Sequence, residues 1–232
     1  DFGNPLELLR EAISNAIDYG ADELEINFSV ETIDGSPRSV IRLTDNGQGM
    51  TEEKLKTYFW GLGFSDAREK RASGERDDGI GEKGHGTKIY LRSEKVSVKT
   101  LSDEGAFESY CDKPLAALSS GKLHQPKFKV DERPRSKKGT EITIVGYNDN
   151  ERSKFVQSIV KDYILWFTKS GSIELALEIA KYKDFKIHLK CLDAKQSEVI
   201  QFGHVFPAES HDIVKLFKEK GANAADHYVK RY

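Results

Sequence analysis

Three glycines, Gly81, Gly84 and Gly86, carry the strongest chemical implication in this sequence. They follow a highly charged stretch and precede an apolar-periodic run that begins at Thr87. Glycines at this spacing let backbone N–H groups crowd around an anion, because no Cβ stands in the way. A helix that starts just after them would direct the positive end of its dipole at the same anion. The segment therefore predicts a phosphate cradle, with the candidate contacts Gly81, Lys83, Gly84, His85, Gly86 and Thr87.

Three side chains of this segment allow two interpretations each. Lys83 and Lys88 stand where a phosphate would lie, so each could contact the phosphate or could simply keep the loop solvated. For His85 we expect a contribution from the backbone rather than from the imidazole ring.

Glu11 and Asn15 lie four residues apart in a segment with helical periodicity. This spacing puts both side chains on one helix face, one turn apart. An amide oxygen suits Mg²⁺, a hard cation that retains waters and takes much of its coordination from phosphates, so Asn15 is the predicted metal ligand. The Glu11 carboxylate could orient or deprotonate a water near the same phosphates. Asp18 lies on this face too, where a structural hydrogen bond and a place near the metal both stay open.

The segment after the second predicted strand combines one acid with two glycines. Asp45 can accept a hydrogen bond from an exocyclic amine, and Gly47 and Gly49 let a flat base lie close to the backbone. Such a site prefers adenine to guanine, because guanine has a carbonyl where adenine has its amine. Thr140, at the start of a later strand, could give its hydroxyl to the base or to a bridging water. The predicted adenine-binding set is Asp45, Gly47, Gly49, Met50 and Thr140.

Taken together and in this order, these elements resemble the GHKL superfamily, the ATPases that share the Bergerat nucleotide-binding fold. The superfamily includes the gyrase B subunit, the ninety-kilodalton heat-shock chaperones, histidine kinases, MutL proteins and MORC proteins. The resemblance covers roughly residues 5–146. It rests on four motifs, which read LREAISNAIDYGA at 9–21, TDNGQGM at 44–50, GIGEKGHG at 79–86 and GTEI at 139–142.

The resemblance implies an α+β fold, namely a two-layer α/β sandwich with a mixed, mostly antiparallel sheet, helices on one face and a long ATP lid. In the family, the matching residues hold magnesium (Asn15), activate water (Glu11), bind adenine (Asp45, Gly49 and Thr140) and cradle phosphate (Gly81 to Gly86). The expected cofactors are ATP and Mg²⁺, and the expected reaction is hydrolysis of ATP to ADP and phosphate. We also expect ATP to drive self-association of the full-length protein.

The expected organisation is an ATP-binding domain at residues 1–205, with its lid at 61–86, and a C-terminal helical extension at 206–232 that leads to a further domain. The chain does not begin with Met and stops without a terminating feature, so we expect it to be the N-terminal part of a longer protein. In many hydrolysing members a second domain supplies a lysine to the terminal phosphate. That lysine would lie beyond Tyr232.

Hydrophobic periodicity predicts the elements that must position these residues. Helices are expected at 5–19, 51–60, 151–167 and 210–220, with Thr51 as the N-cap of the second. Strands are expected at 24–30, 40–44, 96–100, 107–111, 128–130, 140–145 and 185–191, with a turn at 34–37. Strands and helices mix without strict β-α-β alternation, which indicates an α+β sandwich.

The bulk composition argues against several classes of function. A net charge of -2 over 232 residues gives no electrostatic reason to expect direct binding of nucleic acid. No apolar run approaches the ~20 residues that a membrane span needs, and no signal peptide opens the chain. Cys111 and Cys191 are too few and too far apart for a disulfide scaffold, which favours a reducing compartment. We expect the protein to be cytoplasmic, or nuclear if its source is eukaryotic.

Two other functions stay open at this level. Catalytic domains of protein-histidine kinases resemble this chain in their glycine motifs, but they usually lack a glutamate four residues before the metal-binding asparagine. Glu11 therefore favours hydrolysis. A nucleotide-sensing module that does not hydrolyse ATP would use ordering of the lid as its whole output.

Overall fold

The computed structural model of this protein describes residues 4–61, 86–172 and 182–203. Within these ranges, eight strands form one sheet in the order β5-β4-β3-β6-β2-β1-β7-β8. Neighbouring strands are antiparallel except β1 and β7, which run parallel. The strands are β1 (Glu23–Ile33), β2 (Ser36–Asp45), β3 (Lys95–Ser102), β4 (Gly105–Asp112), β5 (Lys127–Val130), β6 (Gly139–Val145), β7 (Lys186–Lys190) and β8 (Glu198–Gln201).

One face of the sheet carries the apolar core. Residues directly opposite each other in the register share a face, as Ile26, Leu43 and Ile142 do on β1, β2 and β6. The other face of the sheet is charged and exposed to solvent. Ion pairs between directly opposite residues lie on it: Lys95 with Asp112, Lys99 with Glu108, and Lys186 with Glu23.

A layer of helices covers the apolar face. Its longest member, α1, packs against the 3₁₀ helix Gly86–Leu91, against α4 and against β1. The helices are α1 (Glu7–Asp18), α2 (Glu52–Lys54), the π-helix Leu55–Trp60 that continues α2, the 3₁₀ helix Gly86–Leu91, α3 (Pro114–Ser119), the single helical turn Tyr147–Asn150, α4 (Gln157–Phe167) and the 3₁₀ helix Lys169–Gly171. The predicted α+β architecture, with a mostly antiparallel sheet and helices on one face, is therefore confirmed.

The short helix after the Asp45 segment begins as predicted. The hydroxyl of Thr51 accepts a hydrogen bond from the backbone N–H of Lys54 at 3.2 Å, so Thr51 is the N-cap. The turn of the first hairpin is shorter than the predicted turn at 34–37. It has only two residues, Asp34 and Gly35. Both have positive φ, at 50° and 75°, and Pro37 lies within β2, opposite Thr32.

The predicted helix at 151–167 begins six residues too early. Val156 has extended backbone, and α4 starts at Gln157. Phe155, expected on the apolar face of that helix, instead lies before it and stacks on Phe28 of β1, with ring centroids 4.6 Å apart. Ile159 is exposed, so the buried face of α4 consists of Val160, Tyr163 and Ile164.

Other parts of the prediction were incomplete or cannot be compared. The helix expected after the glycine motif is a 3₁₀ helix and includes Gly86 itself. Neither α3 nor β8 was predicted, because each is too short to show a period. The expected helix at 210–220, the domain boundary at 205 and nearly all of the expected lid lie outside the described residues. No helix in the described part of the chain is long and apolar enough to cross a membrane.

Candidate nucleotide site

Glu11 and Asn15 are joined on α1 by a hydrogen bond. The Asn15 Nδ2 donates to Glu11 Oε1 at 2.8 Å, the contact that a spacing of four residues allows. The amide therefore directs its nitrogen at the carboxylate, and its oxygen Oδ1 is left to accept from another group. Among the described residues no hydrogen bond reaches Asn15 Oδ1. This orientation suits an oxygen that ligates a hard cation.

The Glu11 carboxyl is largely removed from water. Burial raises its pKa, while the hydrogen bond from Asn15 and the positive charges of Arg10 and Lys88 lower it in part. A carboxylate with a raised pKa is a stronger base than an exposed one. It is thus better able to take a proton from a nearby water.

The last glycine of the motif lies directly against this carboxylate. A Cβ built on Gly86 would stand 1.8 Å from Glu11 Oε2 and 1.9 Å from Glu11 Cδ. No side chain fits there unless Glu11 moves. The predicted phosphate cradle and the predicted base are thus in van der Waals contact at Gly86, although 75 positions separate them in sequence.

Asp45 ends β2 with its carboxyl on the apolar face of the sheet. Its Oδ1 accepts from the backbone N–H of Gly47 at 2.9 Å and from that of Thr140 at 3.2 Å. Burial raises the pKa of the Asp45 carboxyl, and these two bonds and the nearby charge of Arg135 counter the rise. In the described ranges no hydrogen bond reaches Oδ2, so one oxygen is held while the other can accept from a ligand.

The loop after Asp45 is tied to the C-terminal end of α1. Gln48 donates its backbone N–H to the Tyr19 carbonyl at 3.0 Å, and a Cβ on Gly47 would stand 2.8 Å from the same oxygen. Gly49 has φ +71°, and a Cβ there would stand 2.1 Å from the Leu101 carbonyl oxygen. Both glycines are therefore required by close backbone approach, whether or not a base lies over them.

A pair of threonines connects β3 and β6 to this loop. The Thr100 hydroxyl accepts from the backbone N–H of Met50 at 2.7 Å and lies 3.3 Å from the Thr140 hydroxyl. Thr140 and Thr100 are directly opposite each other on β6 and β3, and both are buried. Thr100 was not among the predicted residues. Val96, Val98 and Thr100 alternate along the buried face of β3. A polar hydroxyl at the third of these positions, where an apolar side chain is expected, was the one signal in the sequence.

Lys88 joins the helix after the glycine motif to the π-helix. Its Nζ donates to the carbonyl oxygens of Tyr58 and Phe59 at 3.0 and 2.6 Å and to the Thr87 hydroxyl at 2.8 Å. The Thr87 hydroxyl donates in turn to the Phe59 carbonyl at 3.0 Å. Burial lowers the pKa of Lys88 to about 8, and Glu11 is the charge that raises it in part.

Two further polar groups lie near this site. The hydroxyl of Tyr90 is fully buried with no hydrogen-bond partner in the described ranges. Burial raises its pKa well above the ordinary value, and the charges of Glu11 and Asp45 add to the rise. Arg135 donates Nη2 to the Asp45 carbonyl at 2.9 Å, so it holds the loop before β6 against the end of β2. Neither residue carried a signal in the sequence.

The structure brings together the predicted residues Glu11, Asn15, Asp45, Gly47, Gly49, Met50, Gly86, Thr87 and Thr140 around α1 and one end of the sheet. The remaining four, Gly81, Lys83, Gly84 and His85, lie outside the described residues. A surface groove of about 410 Å³ borders the loop after Asp45 and is lined by Gly47, Gly49, Thr51, Lys54 and Lys138 among others. It shares Gly47 and Gly49 with the predicted adenine-binding set, but its lining includes neither Asp45, Glu11 nor Thr140.

The family profile described as "Histidine kinase-, DNA gyrase B-, and HSP90-like ATPase" matches residues 4–145, more than half of the chain. The chain belongs to this family. The match begins just before α1 and ends at the last residue of β6, so it covers the described residues of the candidate site.

Curated relatives of this family member fall into two groups. DNA mismatch repair protein MutL of Staphylococcus epidermidis is 30% identical over 165 residues, which are 67% of this chain and 22% of the relative. MutL of Elusimicrobium minutum is 28% identical over 156 residues, or 66% and 23%. Chaperone protein HtpG of Bacteroides fragilis is 23% identical over 245 residues, or 97% and 31%. The chain spans less than a third of the length of each of these relatives.

Proposed function

We propose that this protein binds ATP with Mg²⁺ and hydrolyses it to ADP and phosphate. The observation that carries the proposal is the position of α1. In its second turn, Glu11 meets Gly86 of the glycine motif, and just past its C-terminal end, Tyr19 meets the loop after Asp45. Eight residues of helix rise about 12 Å, so the two motifs lie apart along one wall. A ligand with a base at one end and phosphates at the other fits this separation.

At the base end, selectivity would come from the free oxygen of Asp45. Gly47 and Thr140 hold Oδ1, which leaves Oδ2 to accept from the exocyclic amine of adenine. Guanine has a carbonyl oxygen at this position, so two acceptors, this oxygen and Asp45 Oδ2, would face each other. Guanine would be rejected, because a buried polar group without its hydrogen-bond partner costs about 1–3 kcal/mol.

At the phosphate end, the residues fit a magnesium ion bound through the ligand. The Asn15 amide oxygen is directed away from Glu11 and would hold the metal, and the phosphates would supply further oxygens. When bound, the metal would offset the negative charge of the phosphates. No cluster of three or more His, Cys, Asp or Glu side chains that could hold a metal occurs in the described ranges.

For the hydrolytic step, Glu11 would act as the general base. Its buried carboxylate, oriented by Asn15, would orient a water for in-line attack on the terminal phosphorus and accept a proton from it. Backbone N–H groups of the glycine motif would stabilise the charge on the phosphate oxygens. The arrangement favours hydrolysis over transfer to a protein histidine, because a base beside the terminal phosphate serves an attacking water.

Substitution of Glu11 tests the proposal and separates it from its alternatives. Glu11→Gln keeps an oxygen that can accept from Asn15 but removes the base. We expect it to bind ATP, measured by calorimetry, and to release phosphate about 10²- to 10⁴-fold more slowly than the unsubstituted protein. Unchanged phosphate release would exclude Glu11 as the base. Binding without any hydrolysis by the unsubstituted chain would favour a nucleotide sensor, and phosphorylation of a histidine in the parent protein would favour a kinase.

We further propose that ATP acts as a switch of a longer parent protein, which would self-associate when ATP is bound. The relatives are three to five times longer than the matched segment, which leaves room for the further domains this requires. Sedimentation of the full-length protein with ATP, with ADP and without nucleotide would test it. Equal mass in all three states would contradict it. The cytoplasmic or nuclear location, the domain limits at 205 and 206 and the lid at 61–86 stay predictions.

A further inference from the structure

Lys88 occupies an unusual position for a cation. It lies two residues after Gly86, on the 3₁₀ helix that packs against α1, and Glu11 is the group whose charge acts on its ammonium. Yet no ion pair within 4 Å joins Lys88 to a carboxylate among the described residues. A positive charge thus lies beside the predicted phosphate end of the site without a negative partner in direct contact.

The ammonium is instead held by neutral oxygens. Its three N–H donors are matched by two carbonyls, of Tyr58 and Phe59, and by the Thr87 hydroxyl, at 2.6 to 3.0 Å. Hydrogen bonds from a cation to neutral oxygens are weaker than those to a charged phosphate oxygen. A phosphate that came within reach would therefore compete well for the Lys88 ammonium.

We propose that Lys88 donates to the terminal phosphate of the bound nucleotide and balances its charge from within this chain. This inference rests on the proposed ATP site and assigns one further residue to it. On binding, at least one of the bonds to Tyr58 and Phe59 would be exchanged for a bond to phosphate. Because these carbonyls end the π-helix Leu55–Trp60, the exchange would also report the terminal phosphate to that helix.

A purely structural role predicts something different. If Lys88 only ties the end of the π-helix to the 3₁₀ helix, its removal would weaken the fold and would affect ADP and ATP alike. A contact to the terminal phosphate affects ATP alone, because ADP lacks that group. The ratio of the two affinities therefore distinguishes the two roles.

The experiment compares three forms of the chain: unsubstituted, Lys88→Met and Lys56→Met. Lys56 is the matched control. It is an exposed lysine on the π-helix Leu55–Trp60, and its ammonium forms an ion pair with Glu52. Calorimetry with Mg²⁺ measures the affinity for ADP and for an ATP analogue with a non-hydrolysable β,γ-imido bridge. We expect Lys88→Met to weaken analogue binding about 10- to 100-fold and ADP binding less than about 2-fold. Lys56→Met should change neither.

Equal loss of both affinities, or no loss of either, would overturn the assignment of Lys88. A different failure belongs to the proposed function, because an unsubstituted chain that binds neither nucleotide has no ATP site at all. If Lys88→Met binds neither nucleotide while the unsubstituted chain binds both, the variant has lost its fold at the site, and the unsubstituted chain decides the matter.

If Lys88→Met loses its fold, a second measurement on the unsubstituted chain tests the assignment. The ratio of its affinity for the ATP analogue to its affinity for ADP is measured from about pH 7.5 to about pH 9.5, because the pKa of Lys88 is about 8. Glu11 from α1 and Tyr90 from the 3₁₀ helix are the other titratable groups here. Burial raises the pKa of the Glu11 carboxyl, and burial keeps the Tyr90 hydroxyl protonated within this window. Phosphate ionises near pH 6 and stays charged. We expect the ratio to fall as pH rises, and a constant ratio would overturn the assignment.

Discussion

Gly86 and Glu11 are in direct contact, and a Cβ at Gly86 would stand 1.8 Å from Glu11 Oε2. The Glu11 carboxylate accepts a hydrogen bond from Asn15 on its own helix. It is also confined by the backbone of Gly86, which lies 75 positions away in sequence. The conformation of Glu11 is thus set by two neighbours, Asn15 and Gly86. This double constraint holds a candidate base in one place.

Gly86→Ala should therefore disable hydrolysis. The added methyl group forces the Glu11 carboxylate to move by more than 1 Å, and a displacement of that size costs about 10²-fold in rate. Phosphate release measures the effect. The control is Gly35→Ala in the β1–β2 turn, where a Cβ meets nothing within 4 Å and only the φ of +75° is unfavourable. That variant should lose some stability and keep its rate. Equal rates for the two variants would contradict the contact.

Asp45→Asn should reduce selectivity for adenine without unfolding the protein. The asparagine oxygen can still accept from Gly47 and Thr140, but the former Oδ2 position becomes a donor that faces the donor of adenine. We expect ATP affinity to fall about 10- to 100-fold and the preference for ATP over GTP to shrink. Calorimetry with both nucleotides measures this. Asp103→Asn, at an exposed position, is the control, and equal ATP affinity in the two variants would contradict the role of Asp45.

The pH dependence of stability should reflect two partly buried carboxyls, those of Glu11 and Asp45. Burial raises the pKa of both Glu11 and Asp45 in the folded state. At these two groups the folded state binds protons more tightly than the unfolded state, so their contribution to the free energy of unfolding falls as pH rises from below the ordinary carboxyl pKa to above the raised one. Urea unfolding of the nucleotide-free protein and of Asp45→Asn across this range measures the contribution of Asp45. The stability of the variant relative to the unsubstituted protein should increase as pH rises, and a relative decrease would contradict a raised pKa for Asp45.

Thr100→Val should weaken the site although no motif includes this residue. The change removes the hydroxyl that accepts from Met50 and lies beside Thr140, and it leaves the Met50 N–H without its partner. We expect a loss of about 1–3 kcal/mol in the free energy of unfolding, together with weaker ATP binding. Thr100→Ser, which keeps the hydroxyl, should lose less than half as much. Thr143→Val, on the charged face of β6, is the control and should leave binding unchanged.

Local chemistry explains why so much of this protein could be predicted. Alternation and helical spacing place Leu24, Leu43 and Ile187 on buried strand faces and Ile13 on the buried face of α1, because the period of a regular element is set by its backbone. The bond between Glu11 and Asn15 follows from their spacing alone. The glycines at 47, 49 and 86 and the acid at 45 were recognisable from their residue types and spacing, although the contacts that require Gly49 and Gly86 are made to Leu101 and Glu11, far away in sequence.

Only the tertiary structure decided which distant residues meet. Thr100 lies opposite Thr140 because β3 pairs with β6, a register that neither strand encodes by itself. Phe155 leaves its expected helix because stacking on Phe28 outweighs helical periodicity, and Lys88 finds its oxygens on a π-helix whose type no periodicity revealed. Residue types and their spacing determined the elements and the chemistry, since these depend on neighbours a few positions away. The contacts between elements depend on the packing of the whole sheet and its helices, so they appear only once the chain has folded.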